Sequence, residues 1–116
     1  MIYDTVDYKD CTITVATDVD DSAAVDLGGR TLVGVIMPAA LTGTAISFKT
    51  SNTYNDAIAN YSPIYDDLGN LYSVPYGASR YVAVDVNKFL GVKNIRILSN
   101  GTEASNRTFK LVTRLI

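Results

Sequence analysis

Short segments with apolar residues at every second position, separated by Gly, Pro, Asn, Asp and Ser, run through most of this 116-residue chain. A strand points successive side chains to opposite faces, so this period describes sheets with one face buried. TITVAT (12–17) alternates Thr with Ile13 and Val15. AISFKTS (45–51) sets Ile46 and Phe48 against Ser47 and Lys49. RYVAVDV (80–86) puts Val82 and Val84 on one face, and NIRILS (94–99) sets Ile95 and Ile97 against Arg96. TFKLVTRLI (108–116) sets Phe109, Leu111 and Leu115 against Lys110 and Arg114. TLVGVIM (31–37) is almost continuously apolar, as a central strand covered on both faces would be.

The punctuation agrees with these segments. Gly28-Gly29 precedes the central one, and Pro38 ends it, because proline has no amide hydrogen for a ladder. Asn100-Gly101 opens a polar loop before the last segment. VNKFLGV (86–92) reads as one short helical turn, with Phe89 and Leu90 packed on a sheet edge and Gly91 closing it. About eight strands at this spacing predict an all-β fold, a two-sheet antiparallel β-sandwich with jelly-roll-like connections. One domain of this length can bury a core without staples. Residues 11–116 are assigned to the sandwich, and 1–10, without clear alternation, to an N-terminal arm.

The stretch IYDDLGNLYSV (64–74) carries two adjacent carboxylates on a bend flanked by tyrosines. Each residue has a structural reason to be there. Asp66 suits the first turn position, where its carboxylate can accept from a backbone N–H two residues on. Asp67 and Leu68 fit the centre of a type I turn, and Gly69 the left-handed bulge position that follows. A hairpin is therefore expected. Adjacent residues on a strand face opposite ways, so Asp66 and Asp67 do not make a catalytic pair.

The residue inventory narrows the chemistry further. The chain has no histidine, which removes histidine triads, ligands and proton shuttles. Its one cysteine, Cys11, can form no internal disulfide and reads as a small strand residue. DVDDSAAVDLGG (18–29) spaces Asp18, Asp20 and Ser22 like a calcium loop, but Ala23 and Gly29 stand where glycine and glutamate are required. The region is expected to be a solvated acidic turn, with Asp18, Asp20 and Asp21 as the remaining cation candidates. No Gly-rich loop leads into a helix to cradle phosphate. No enzyme activity, catalytic residue, cofactor or metal is expected. Ten Lys and Arg against 12 Asp and Glu give a net charge of -2, without a basic stripe, so no nucleic-acid partner is expected. The polar start MIYDTVDYKD has no apolar export segment, and no apolar run is long enough for a membrane span. Cytoplasmic synthesis without a membrane partner is the corresponding expectation.

Tyrosine is the anomaly: there are eight, and six fall between Tyr54 and Tyr81. Tyrosine combines apolar area with a polar tip, which suits both sandwich surfaces and interfaces. Tyr3 and Tyr8 in the arm, with Tyr54 and Tyr61 in the loop NTYNDAIANYSP (52–63), are the candidate interface residues.

The block AVDLGGRTLVGVIMPAALTGTAISFKTS (24–51) resembles the central part of small virion-associated proteins of tailed bacteriophages and prophages. The similar elements are Asp26-Leu27-Gly28-Gly29, Leu32-Val33-Gly34, Met37-Pro38-Ala39-Ala40, and Ile46 with Phe48. Ala78-Ser79-Arg80, Phe89 to Val92, Ile95 to Leu98 and Leu111-Val112-Thr113-Arg114 follow in the same order. The resemblance spans residues 22–114. It implies a small β-sandwich on the virion, assembled in the bacterial host cytoplasm. There it would act as a capsid decoration or cement protein, or as part of a fibre. Its partners would be the major capsid protein or other virion proteins, and further copies of itself. A carbohydrate-binding or host-attachment module is the alternative. Leu41 stands where an aromatic, usually tryptophan, is expected, and the loop 52–63 looks longer and richer in tyrosine than the pattern. The similar residues are structural, so no site residues carry over.

Overall fold

A computed structural model describes residues 6–15, 21–54 and 57–115. Among them are nine strands: β1 (Val6–Ile13), β2 (Val25–Asp26), β3 (Thr31–Ile36), β4 (Ala45–Thr50), β5 (Ser62–Pro63), β6 (Ser73–Pro75), β7 (Tyr81–Ala83), β8 (Asn94–Ser99) and β9 (Arg107–Arg114). They form two antiparallel sheets, ordered β1-β9-β3-β7 and β2-β8-β4-β5, with β6 also paired to β4. The pairing is nested. β1 meets β9, β2 meets β8, β3 meets β7, and β4 meets β5 and β6. A long hairpin wrapped around itself pairs in this way, which is the jelly-roll arrangement expected from the spacing.

The core lies between the sheets. Phe48, Phe89, Phe109, Ile13, Ile46, Ile95, Ile97 and Leu111 are fully buried there. Phe48 meets the Phe89 ring edge-on at 5.1 Å, and Tyr72 packs on both rings. The Tyr72 hydroxyl stays satisfied by accepting from the Asp85 N–H at 2.8 Å. β3 buries both Leu32 and Val35, three positions apart. Regular alternation forbids this, but the register against β9 shifts between Leu32 and Gly34. The extra residue returns Val35 to the inner face.

Several expectations are corrected. The proposed arm of residues 1–10 is, from Val6 on, part of β1, paired without interruption to β9. Its polar sequence hides the strand because β1 is an edge whose outer residues meet solvent. TITVAT contributes only Thr12 and Ile13 to that strand. Leu115 lies beyond β9 and is exposed, and Thr113 fills the inward position instead. At 86–92 a 3-10 turn covers Val86–Lys88, capped by the Asp85 carboxylate accepting from the Asn87 N–H. Phe89 enters the core, but Leu90 faces out. Gly91 does not close the turn in a left-handed conformation; Gly28, Gly29 and Gly69 are the described glycines with positive φ.

Cys11 is buried on the inner face of β1 as a small strand residue. Burial pushes its thiol up to about 11, against lesser opposing effects from the Ser22 hydroxyl, Ile97 backbone and Arg96 charge. The thiolate is the reactive form. Maleimide labelling at pH 8 should therefore be negligible in the folded protein and complete in denaturant. Rapid labelling of the native state would contradict this packing.

Candidate functional site

The hairpin at 64–74 is built as its residues dictate. The Asp66 backbone carbonyl accepts from the Gly69 N–H at 3.1 Å, and the Asp66 N–H donates to the Asn70 carbonyl at 2.8 Å. The Asp66 carboxylate oxygen Oδ1 accepts from both the Leu68 and Asn70 N–H groups at 2.9 Å. Gly69 sits at φ 82°. Gly69→Val would force a β-branched side chain into the left-handed region and should cost roughly 1–3 kcal/mol. Asp67→Asn should be nearly silent. Equal shifts of the two urea midpoints would count against this assignment.

This stiff bend carries an apolar tip. Tyr65 and Leu71 face each other across a β-bridge and are 55% and 44% exposed. Leu68, at the turn, is 82% exposed. A leucine so exposed has no packing role within the domain.

The four candidate tyrosines part company. Tyr3 lies outside the described residues. Tyr8 on β1 and Tyr54 in the loop are both more than half exposed, as interface residues would be. Tyr61 is 5% exposed and does not qualify. Its ring lies under the Arg96 guanidinium, 4.6 Å from the centroid, and pins the loop to the sheet. Tyr61→Ala should therefore lower stability by roughly 3–5 kcal/mol, while Tyr54→Ala should leave the thermal midpoint unchanged. Similar melts for both would overturn the distinction.

Arg96 explains why Tyr61 is needed. It lies on the face of β8 opposite Ile95 and Ile97, as the alternation sets it, yet it is buried. Its partner across the β4–β8 ladder is Lys49, so two cations stand side by side. Like charges in that position repel. Asp21 answers one, ion-paired to the Lys49 Nζ at 2.8 Å. The Tyr61 ring answers the other, and Arg96 also donates to the Ser22 carbonyl at 2.9 Å. Asp21 is thus a buried ion-pair partner and not part of a solvated turn. Asp18 and Asp20 lie outside the described residues. Among the described residues, no three Cys, Asp or Glu side chains form a metal-sized group.

Sequence reasoning missed Glu103, the one glutamate among 12 acidic residues. Its carboxylate is buried between the β3–β4 and β8–β9 connections. It accepts from the Thr42 N–H at 2.9 Å, the Gly43 N–H at 3.0 Å, the Ser99 hydroxyl at 2.7 Å and the Arg107 guanidinium at 2.8 Å. Burial works to raise its pKa. The donors from Thr42, Arg107, Ser99 and Gly43 outweigh burial and hold the carboxyl at about 2. Gly43 permits this closeness, since a Cβ there would lie 2.4 Å from the Ser99 hydroxyl. The group fastens one end of the two sheets together. The one signal in the sequence was a lone glutamate inside a polar loop.

Near the loop 52–63 an open cleft of about 460 Å³ is lined by Thr50, Ser51, Asn52, Asn60, Ser62 and Lys93. Gly91 completes the lining, and the side chains end in hydroxyls, amides and one ammonium, although most of the exposed wall is carbon. No aromatic ring lines it.

Fold and surface together define a small jelly-roll sandwich with a fastened end and an apolar hairpin tip. The crystal structure of the SPBc2 prophage-derived protein YomS has a similar fold, with a TM-score of 0.53 over 97% of each chain at 14% sequence identity. At that identity the likeness is one of fold. No family model matches this chain, and no curated protein matches it.

Proposed function

We propose that this chain is a non-enzymatic structural protein of a bacteriophage virion, and within that class a capsid decoration or cement protein that binds between major capsid subunits. The observation that carries this reading is the apolar tip of Tyr65, Leu68 and Leu71 on a rigid hairpin. A decoration domain must present an ordered contact without refolding, and a hydrogen-bonded turn does so at low entropic cost. The fold shared with a prophage-derived protein supports the phage setting. The exposed Tyr8 and Tyr54 are further contact candidates.

Co-sedimentation with undecorated phage heads tests the proposal. Leu68→Asp should abolish loading while leaving the urea midpoint unchanged, and Asp67→Asn should load like the parent. Full loading of Leu68→Asp would remove the tip from the interface.

The hydroxyl, amide and ammonium tips around the cleft favour a second reading, glycan binding in host attachment. Such hydroxyl and amide groups can bond a polyol, although the missing aromatic platform weakens stacking. A glycan array separates the two: specific binding lost in Asn60→Ala would favour attachment over decoration.

A further inference from the structure

β1 ends its sheet, and among the described residues nothing occupies its outer edge between Tyr8 and Cys11. An unpaired edge is a template for another strand. Which backbone groups face outward follows from one bond. The Thr12 carbonyl accepts from the Ala23 N–H, so Thr12 points its polar groups away from β9. In an antiparallel strand the N–H and C=O of one residue share a direction that reverses at the next residue. Tyr8 and Asp10 therefore offer their donors and acceptors to the outside, while Asp7, Lys9 and Cys11 turn theirs to β9.

The side chains narrow what can add to this edge. Cys11 and Ile13 are buried, so Asp7 and Lys9, of the same parity, lie on the inner side of the sheet near its mouth. Both are half-buried, and neither has an ion-pair partner among the described residues. Inward charges on an edge strand repel an arbitrary newcomer. A second copy can run antiparallel only in registers that bring outward groups together. A two-fold axis at Asp7, Lys9 or Asp10 would set that residue against its own copy, a like-charge clash. An axis at Tyr8 sets Asp7 against the partner's Lys9 and Lys9 against the partner's Asp7. It also lays the two exposed Tyr8 rings side by side on the outer face.

We propose that β1 pairs with β1 of a second copy of this chain across a two-fold axis at Tyr8, joining two four-stranded sheets into one of eight. Tyr8 exchanges two backbone hydrogen bonds with its copy, and two Asp7–Lys9 pairs fix the register. Few residues take part, and a standard interface needs about 800 Å² per partner. The dimer is accordingly weak, with a dissociation constant of roughly micromolar to hundreds of micromolar. The proposal is independent of the virion reading.

Sedimentation equilibrium across this concentration range should show monomer and dimer. Asp7→Lys alone, and Lys9→Asp alone, should each weaken the dimer by roughly tenfold or more. The double swap Asp7→Lys with Lys9→Asp should restore it. Tyr8→Cys should form an interchain disulfide on oxidation, because the position faces itself, whereas Asp10→Cys should not. A chain that stays monomeric at millimolar concentration overturns the proposal. So does a double swap that behaves like its single parents, or cross-linking through position 10 in place of 8.

Discussion

Replacing Glu103 by alanine should lower the unfolding free energy by about 3–5 kcal/mol, read as a drop in urea midpoint at unchanged slope. The substitution removes the acceptor of four donors at once. It leaves the Thr42 and Gly43 amides and the half-buried Arg107 charge facing one another across a void. Against a total stability of about 5–15 kcal/mol, one such loss is severe. Glu103→Gln should recover only part of it, because its amide nitrogen must face a donor where an oxygen stood. The same site predicts the acid response. The folded carboxyl, held at about 2, lies below its unfolded value of about 4.3. Its contribution is therefore complete above the unfolded pKa and lost as pH falls toward 2. Across that interval the total loss should be roughly 3 kcal/mol. In Glu103→Gln the slope of stability against pH below 4.5 should be visibly shallower. An unchanged slope would mean the carboxylate is not the group that titrates.

Phe48→Ala should cost a similar amount, about 3–5 kcal/mol. Phe48 lies at the middle of β4, fully buried, between Phe89 and Tyr72. The cavity cannot close easily. Tyr72 is held by its hydroxyl bond to the Asp85 amide, and Phe89 is held by the 3-10 turn that precedes it. Phe48→Leu should recover more than half of the loss by refilling most of the volume. Near-equal thermal midpoints for Phe48→Ala and the parent would show that the aromatic cluster relaxes, contrary to these restraints.

Legibility from sequence followed the range of each interaction. The hairpin was readable because Asp66, Leu68 and Gly69 bond within five residues, and local turn chemistry is written in adjacent letters. The inward residues of β4 and β8 were readable from period two alone. Arg96 was not. Its burial depends on Tyr61 and Ser22, both distant in the chain, and an arginine on an alternating strand looks like a solvent residue until its lid is known. Tyr61 was misread for the reciprocal reason. Glu103 escaped because its two backbone donors, Thr42 and Gly43, come from a separate connection roughly sixty positions earlier. The first half of β1 escaped because an edge strand needs apolar residues on one side only, and there Asp7 and Lys9 occupy the rim.

The nested pairing also sets a timetable. Val6 has its partner in Arg114, more than a hundred positions later, and the intervening strands are enclosed between them. Nothing can complete the sheet of β1, β9, β3 and β7 until β9 has left the ribosome. Until then β1 and β3 remain without the strand that separates them. Folding must therefore be a late, largely all-at-once event, in the millisecond-to-second range typical of non-local β topologies. That delay exposes unpaired strands of neighbouring nascent chains to one another.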